Sequence, residues 1–85
     1  MPETSIRFVN GNKSVFYVQV EPVAGYYKVE PGSSLEIVGR HASVNGSFDL
    51  HEDGDVRYLT LLDGMEYDVV VEGKRRPFTE YLTNL

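Results

Sequence analysis

Apolar and polar residues alternate with a period of two along most of the chain. Phe16, Val18 and Val20 share one face of the segment 16–20, and Ile6 and Phe8 flank Arg7. Leu35 and Ile37 flank Glu36, and Phe48 and Leu50 flank Asp49. In 65–71 the odd positions Met65, Tyr67, Val69 and Val71 are apolar, while Glu66 and Asp68 are acidic. Successive side chains of a strand point to opposite faces, so each segment reads as a half-buried β-strand. Leu59, Leu61 and Leu62 do not fall on one face, which suits a strand covered on both sides. With the short segment 26–29, the pattern predicts seven strands, at 5–9, 14–20, 26–29, 34–38, 46–51, 55–62 and 65–71.

Turn residues separate these segments at short intervals. Asn10-Gly11, Asn45-Gly46, Asp53-Gly54 and Asp63-Gly64 are pairs that tolerate the positive φ of two-residue hairpin turns, and Pro31-Gly32 is a further turn signal. Short strands joined by tight turns predict an all-β domain. An antiparallel β-sandwich buries the apolar faces most simply, with a small barrel as the alternative. The tail departs from this period: Phe78, Tyr81, Leu82 and Leu85 follow helical spacing after Pro77. A short C-terminal helical turn is expected there, packed on the open end of the core, because two turns do not persist alone in water.

Length and composition narrow the choices. The chain has 85 residues, which is room for one domain over 1–85, and it has no cysteine, so neither disulfides nor thiol chemistry enters. No apolar run approaches the ~20 residues needed to span a bilayer, so no membrane association is expected. Met1-Pro2-Glu3-Thr4 has neither a basic nor an apolar leader character, and a cytoplasmic location is the expectation.

Charge is uneven. Residues 49–72 carry eight acids against Arg57 alone, whereas 1–48 are balanced and the total is -5. An acidic middle disfavours nucleic acid, since phosphate binding needs clustered Lys and Arg, and Lys74-Arg75-Arg76 is read as a solvated turn. Asp49, His51, Asp53 and Asp55 are the densest set of possible metal ligands. Their spacing does not match a twelve-residue calcium loop, and Asp53-Gly54 is also what a hairpin turn requires. No cysteine nucleophile, Gly-x-Ser-x-Gly elbow or Gly-x-x-x-x-Gly-Lys phosphate loop is present, so the chain reads as non-enzymatic and without a cofactor.

Tyrosines are the better binding candidates. Tyr17 lies opposite the Phe16/Val18/Val20 face, and of the adjacent Tyr26 and Tyr27 one must point outward. With Tyr81 of the tail, Tyr17, Tyr26 and Tyr27 form the set of surface candidates. Exposed tyrosine supplies a large contact area at low entropic cost, which suits a protein or sugar surface.

Phe8-Val9-Asn10, Val20-Glu21-Pro22, Tyr27 and the run from Pro31-Gly32 to Leu35-Glu36-Ile37 together resemble a group of small uncharacterised bacterial all-β proteins. The similarity spans residues 6–38. More remotely, the order Phe-x-Asn, Tyr, Pro-Gly is similar to the β domain of the von Hippel–Lindau family, a sandwich that binds a peptide segment. Neither resemblance implies an activity. The expectation is a small binding domain for a protein partner or a second copy of itself, with a small-ligand or metal site on the acidic 49–55 hairpin as the alternative.

Overall fold

Two four-stranded sheets face each other across one hydrophobic core. The structure, a computed structural model, describes residues 3–21, 25–40, 48–61 and 66–79. Eight strands run in chain order: β1 (Glu3–Val9), β2 (Phe16–Glu21), β3 (Gly25–Val29), β4 (Ser34–Arg40), β5 (Phe48–Asp53), β6 (Val56–Leu61), β7 (Glu66–Val71) and β8 (Lys74–Pro77). One sheet has the order β1-β4-β7-β8 and the other β3-β2-β6-β5. The sheets do not close on each other, so the architecture is the sandwich and not the barrel.

The core follows the period of two. Phe8, Phe16, Val18, Val20, Tyr27, Val29, Leu35, Ile37, Leu59, Leu61, Tyr67 and Val69 form one buried cluster, with Ile6, Phe48, Val71 and Phe78 packed at its margin. β1 to β4, β6 and β7 contribute alternate residues, which is how two pleated layers interdigitate, whereas β5 gives only Phe48 at the margin and leaves Leu50 42% exposed. Leu59 and Leu61 both point inward on β6, and the outer side chains of that strand are half-buried beneath neighbours on the same face.

Asn10-Gly11 closes no hairpin, because β1 and β2 lie in different sheets, and Leu50 of the edge strand β5 is exposed and not buried. Two larger features also depart from the sequence reading. The β3-β2-β6-β5 sheet is mixed: β2 and β6 run parallel, with Gln19 opposite Tyr58, while the other pairs are antiparallel. Two hairpins, β2–β3 and β5–β6, therefore lie side by side. Turn residues mark the β5–β6 hairpin in the sequence, but nothing there says how one hairpin meets another. The second departure is β8. Lys74-Arg75-Arg76-Pro77 is a strand and not a solvated turn, paired antiparallel with β7 so that Val70 faces Arg75. A two-residue turn at Glu72-Gly73, with φ of 53° and 77°, reverses the chain between them. Of the tail stripe only Phe78 is described; its ring stacks on Tyr67 at 4.8 Å. Tyr81, Leu82 and Leu85 lie outside the described residues, as do the pairs Asn45-Gly46 and Asp63-Gly64.

Asn10 ties the loops at one end of the sandwich. Its side chain is buried, and Nδ2 donates to the carbonyls of Ser14 and Val29 at 2.8 and 2.9 Å while Oδ1 accepts from the Asn12 amide. Its own backbone donates to the Ser33 carbonyl and accepts from Gly32 N–H. The turn it grips is a type II turn over Glu30–Ser33, with Pro31 at the second position and Gly32 at φ 80° in the third. Phe8, Asn10, Tyr27 and Leu35, which carry much of the resemblance over 6–38, are thus buried parts of the framework.

Candidate binding face

Alternation along β2, β3, β5 and β6 leaves a second set of side chains on the outer face of that sheet. The register places them in tiers. Tyr26 is opposite Gln19, Gln19 is opposite Tyr58, and Tyr58 is opposite His51, so one row crosses all four strands. The next row contains Lys28, Tyr17, Val56 and Asp53, and the one on the other side contains Glu21, Thr60 and Asp49.

Aromatic contacts bind the face together. The Tyr17 and Tyr26 rings stack at 5.1 Å with 18° between their planes, and His51 and Tyr58 meet at 6.1 Å. Tyr26 remains 40% exposed, so this aromatic ledge is open to solvent. Partial burial, reinforced by the nearby Tyr17, Asp55 and Tyr58, raises the Tyr26 hydroxyl above its ordinary pKa, and the phenol stays protonated as a donor. Gln19 donates from Nε2 to Glu21 at 2.9 Å, which turns that amide along the strand.

The acids of this face differ in kind from those of the other sheet. On the outer face of β1-β4-β7-β8, Asp68 is clasped by Arg40 and by Arg75 at 2.7 Å, Arg75 also binds Glu3, and Arg40 reaches Glu66 at 3.6 Å. Val38 is buried beside Asp68 on that face, shielded by these long side chains. Those charges are largely neutralised within the fold. By contrast, Asp49, Asp53 and Asp55 have no cationic partner among the described residues, and Lys28 pairs with Glu30 at 3.6 Å. Glu52 meets Arg57 on the inner side of β5, where the guanidinium lies 4.8 Å from the Phe16 ring.

The sequence candidates separate clearly. Tyr17 and Tyr26 come together on the face. Tyr27 does not: it is buried at 7% exposure, and its hydroxyl meets that of Tyr67 at 2.9 Å inside the core. The hairpin register that turns Phe16 and Val18 inward also turns Val29 and Tyr27 inward, so only one of the adjacent tyrosines could remain outside. Tyr81 lies outside the described residues. Asp49, His51 and Asp53 do share the outer face of β5, yet no group of three acidic or histidine side chains converges to hold a metal among the described residues. Alternate positions on a strand stand about 6.8 Å apart, too far to close on one ion without a bend. Asp55 sits beyond the strand in the β5–β6 turn, whose central residues are Gly54 and Asp55 and not Asp53-Gly54.

Tyr58 and Gln19 are the members that sequence reasoning passed over. The signal for Tyr58 was present, because a turn centred on Gly54-Asp55 places it opposite His51. Gln19 becomes a bridge only through the parallel β2–β6 pairing, for which the sequence offers no marker. A cleft of about 460 Å³ at the end of the sandwich, lined by Lys28, Glu30, Ser33, Ser34, Leu35 and Glu72, meets this face only at Lys28.

Comparison with family models, with curated proteins and with solved structures finds no match to this chain. Among the described residues no helix is long and apolar enough to cross a membrane.

Proposed function

We propose that the chain is a non-enzymatic binding domain whose β3-β2-β6-β5 face receives a basic segment of a protein partner. One observation carries this reading: a row of Tyr26, Gln19, Tyr58 and His51, with Tyr17 stacked at its end, lies among acids that no cation of the described fold neutralises. A lysine or arginine side chain over a tyrosine ring gains about 0.5–2 kcal/mol, and carboxylates beside the ring add attraction and steer the approach. Tyrosines are also the residues on which binding energy concentrates in protein interfaces. Stacking of Tyr17 on Tyr26 uses one face of each ring, which leaves less flat area for a sugar than for a protruding cationic side chain.

Selection from a random peptide display library tests the proposal. Enriched peptides are expected to be rich in Lys and Arg, to shift the amide resonances of β2, β5 and β6, and to lose at least tenfold in affinity with Tyr26→Ala. Enrichment of acidic or uncharged peptides, or binding indifferent to Tyr26→Ala, would overturn it.

A further inference from the structure

Among the described residues four strand edges bound the two sheets, and three of them are blocked against pairing with another chain. β8 carries Lys74, Arg75 and Arg76 and ends in Pro77, and β5 carries Asp49, Glu52 and Asp53, so each repels its own copy. β3 is only five residues long and carries Lys28, and a short charged edge is a poor template for a further strand.

β1 is different. It spans seven residues, Glu3-Thr4-Ser5-Ile6-Arg7-Phe8-Val9, without proline, glycine or a run of like charge. Its two charges lie symmetrically about Ser5, Glu3 two residues before and Arg7 two residues after. Among the described residues Arg7 has no carboxylate partner and makes only a 3.4 Å contact with the Ser34 hydroxyl. Val9, at 64%, is the most exposed large apolar side chain among the described residues, and it belongs to this same strand.

The backbone phase agrees with the charges. Asn10 N–H bonds the Ser33 carbonyl at 2.9 Å, continuing the register in which Val9 faces Ser34 and Phe8 faces Leu35. Bonded and non-bonded pairs alternate along an antiparallel ladder, so Phe8 and Ile6 direct their N–H and C=O groups to β4. Ser5 and Arg7 then direct theirs to the open edge.

We propose that two copies of the chain associate through β1 about a two-fold axis at Ser5, joining their sheets edge to edge. In that register each Ser5 exchanges backbone bonds with the partner's Ser5, and Glu3 stands opposite the partner's Arg7 on both sides of the axis. Opposite charges directly across a ladder stabilise it, whereas any pairing that aligned Glu3 with its own copy would set like charges together. Arg75 already holds the Glu3 carboxylate in place, so the acceptor is oriented before the second strand arrives. A closed two-fold contact of this kind is the commonest form of self-association, and it leaves the aromatic face of each copy uncovered. One edge pairing buries little surface, so the dimer belongs in the weak class.

Sedimentation velocity on the intact chain reads the outcome, with a dissociation constant expected between about 1 μM and 1 mM. Ser5→Pro removes an N–H that serves only the open edge, and Arg7→Glu sets like charges across the axis. Each is expected to raise the dissociation constant at least tenfold while the melting temperature stays close to that of the parent chain. Ser5→Cys introduces the sole cysteine of the chain and should yield a covalent dimer on mild oxidation, because Cα atoms about 5.5 Å apart in such a pair fit disulfide geometry. A chain that stays monomeric at about 1 mM, or a dimer that withstands Arg7→Glu, overturns the proposal whatever the fate of the proline variant.

Discussion

The hydroxyls of Tyr27 on β3 and Tyr67 on β7 lie 2.9 Å apart inside the core, one from each sheet. Gly25 makes the room: a Cβ there would come within 2.7 Å of the Tyr27 hydroxyl and closer still to that of Tyr67. Burial, with the hydrogen bond to Tyr27, pushes the Tyr67 hydroxyl far above its ordinary pKa, so the pair stays neutral and bonded. Tyr27→Phe is therefore expected to cost about 1–2 kcal/mol, because it leaves the Tyr67 oxygen buried without that partner. Adding Tyr67→Phe should recover part of the loss, since an apolar pair leaves no hydroxyl to satisfy. Urea unfolding of the two singles and the double checks the cycle, and strictly additive losses would contradict it.

Asn10 replaces a whole set of turn contacts with one side chain. Asn10→Ala strands the carbonyls of Ser14 and Val29 and the amide of Asn12, and a loss of about 2–4 kcal/mol is expected from equilibrium unfolding. Asn12, exposed on the same loop, should tolerate alanine within about 0.5 kcal/mol.

Acid should weaken the fold partly through Asp68. Burial works against its charge, but the hydrogen bonds from Arg40 and Arg75 outweigh burial and hold the carboxyl below the ordinary 3.8. Glu3 is lowered as well, chiefly by its bond to Arg75. As pH falls, the unfolded chain takes up these protons before the native one does. The stabilisation is complete above about pH 5 and drains away as pH drops through the ordinary value towards the lowered native one. Asp68→Asn should melt lower than the parent at pH 7 and lose less on acidification to about pH 2. A parallel pair of melting curves across this range would show that the clasp contributes nothing.

Glu72 sits at φ 53°, a left-handed conformation that non-glycine residues avoid and asparagine tolerates best. It holds the leading position of a tight hairpin turn ahead of Gly73, where Asn-Gly is the favoured pair. Glu72→Asn is expected to raise stability by about 0.5–1 kcal/mol, read as a higher denaturation midpoint with an unchanged slope.

Much of the architecture can be read from alternation alone. A strand stands at each of the seven places that alternation marks, and in six of them the alternate apolar residues are buried; β5 is held as an edge strand by pairing with β6, with Leu50 left exposed. β8 escaped detection because alternation does not mark it. Lys74, Arg75 and Arg76 bury nothing, and the strand is held by backbone pairing to β7 and by the grip of Arg75 on Asp68 and Glu3. The candidate face was half legible. An outward Tyr17 follows from the inward Phe16, Val18 and Val20, but the choice between Tyr26 and Tyr27 depends on where the β2–β3 register falls.

The class of fold and the excess of acid in the second half are legible in the chain alone. Those properties depend on residue type and spacing, which are local. Packing of whole hairpins sets β2 and β6 side by side in parallel, so that Gln19 joins Tyr26 to Tyr58 and the tyrosines of two distant hairpins share one surface. Packing also decides which acids are neutralised. Asp68 meets Arg40 and Arg75 because β4, β7 and β8 are neighbours, while Asp49 and Asp53 lie on an edge strand with no arginine on their face. Contacts between segments far apart in the chain arise from the packing of whole sheets, and no short window of residues contains that information.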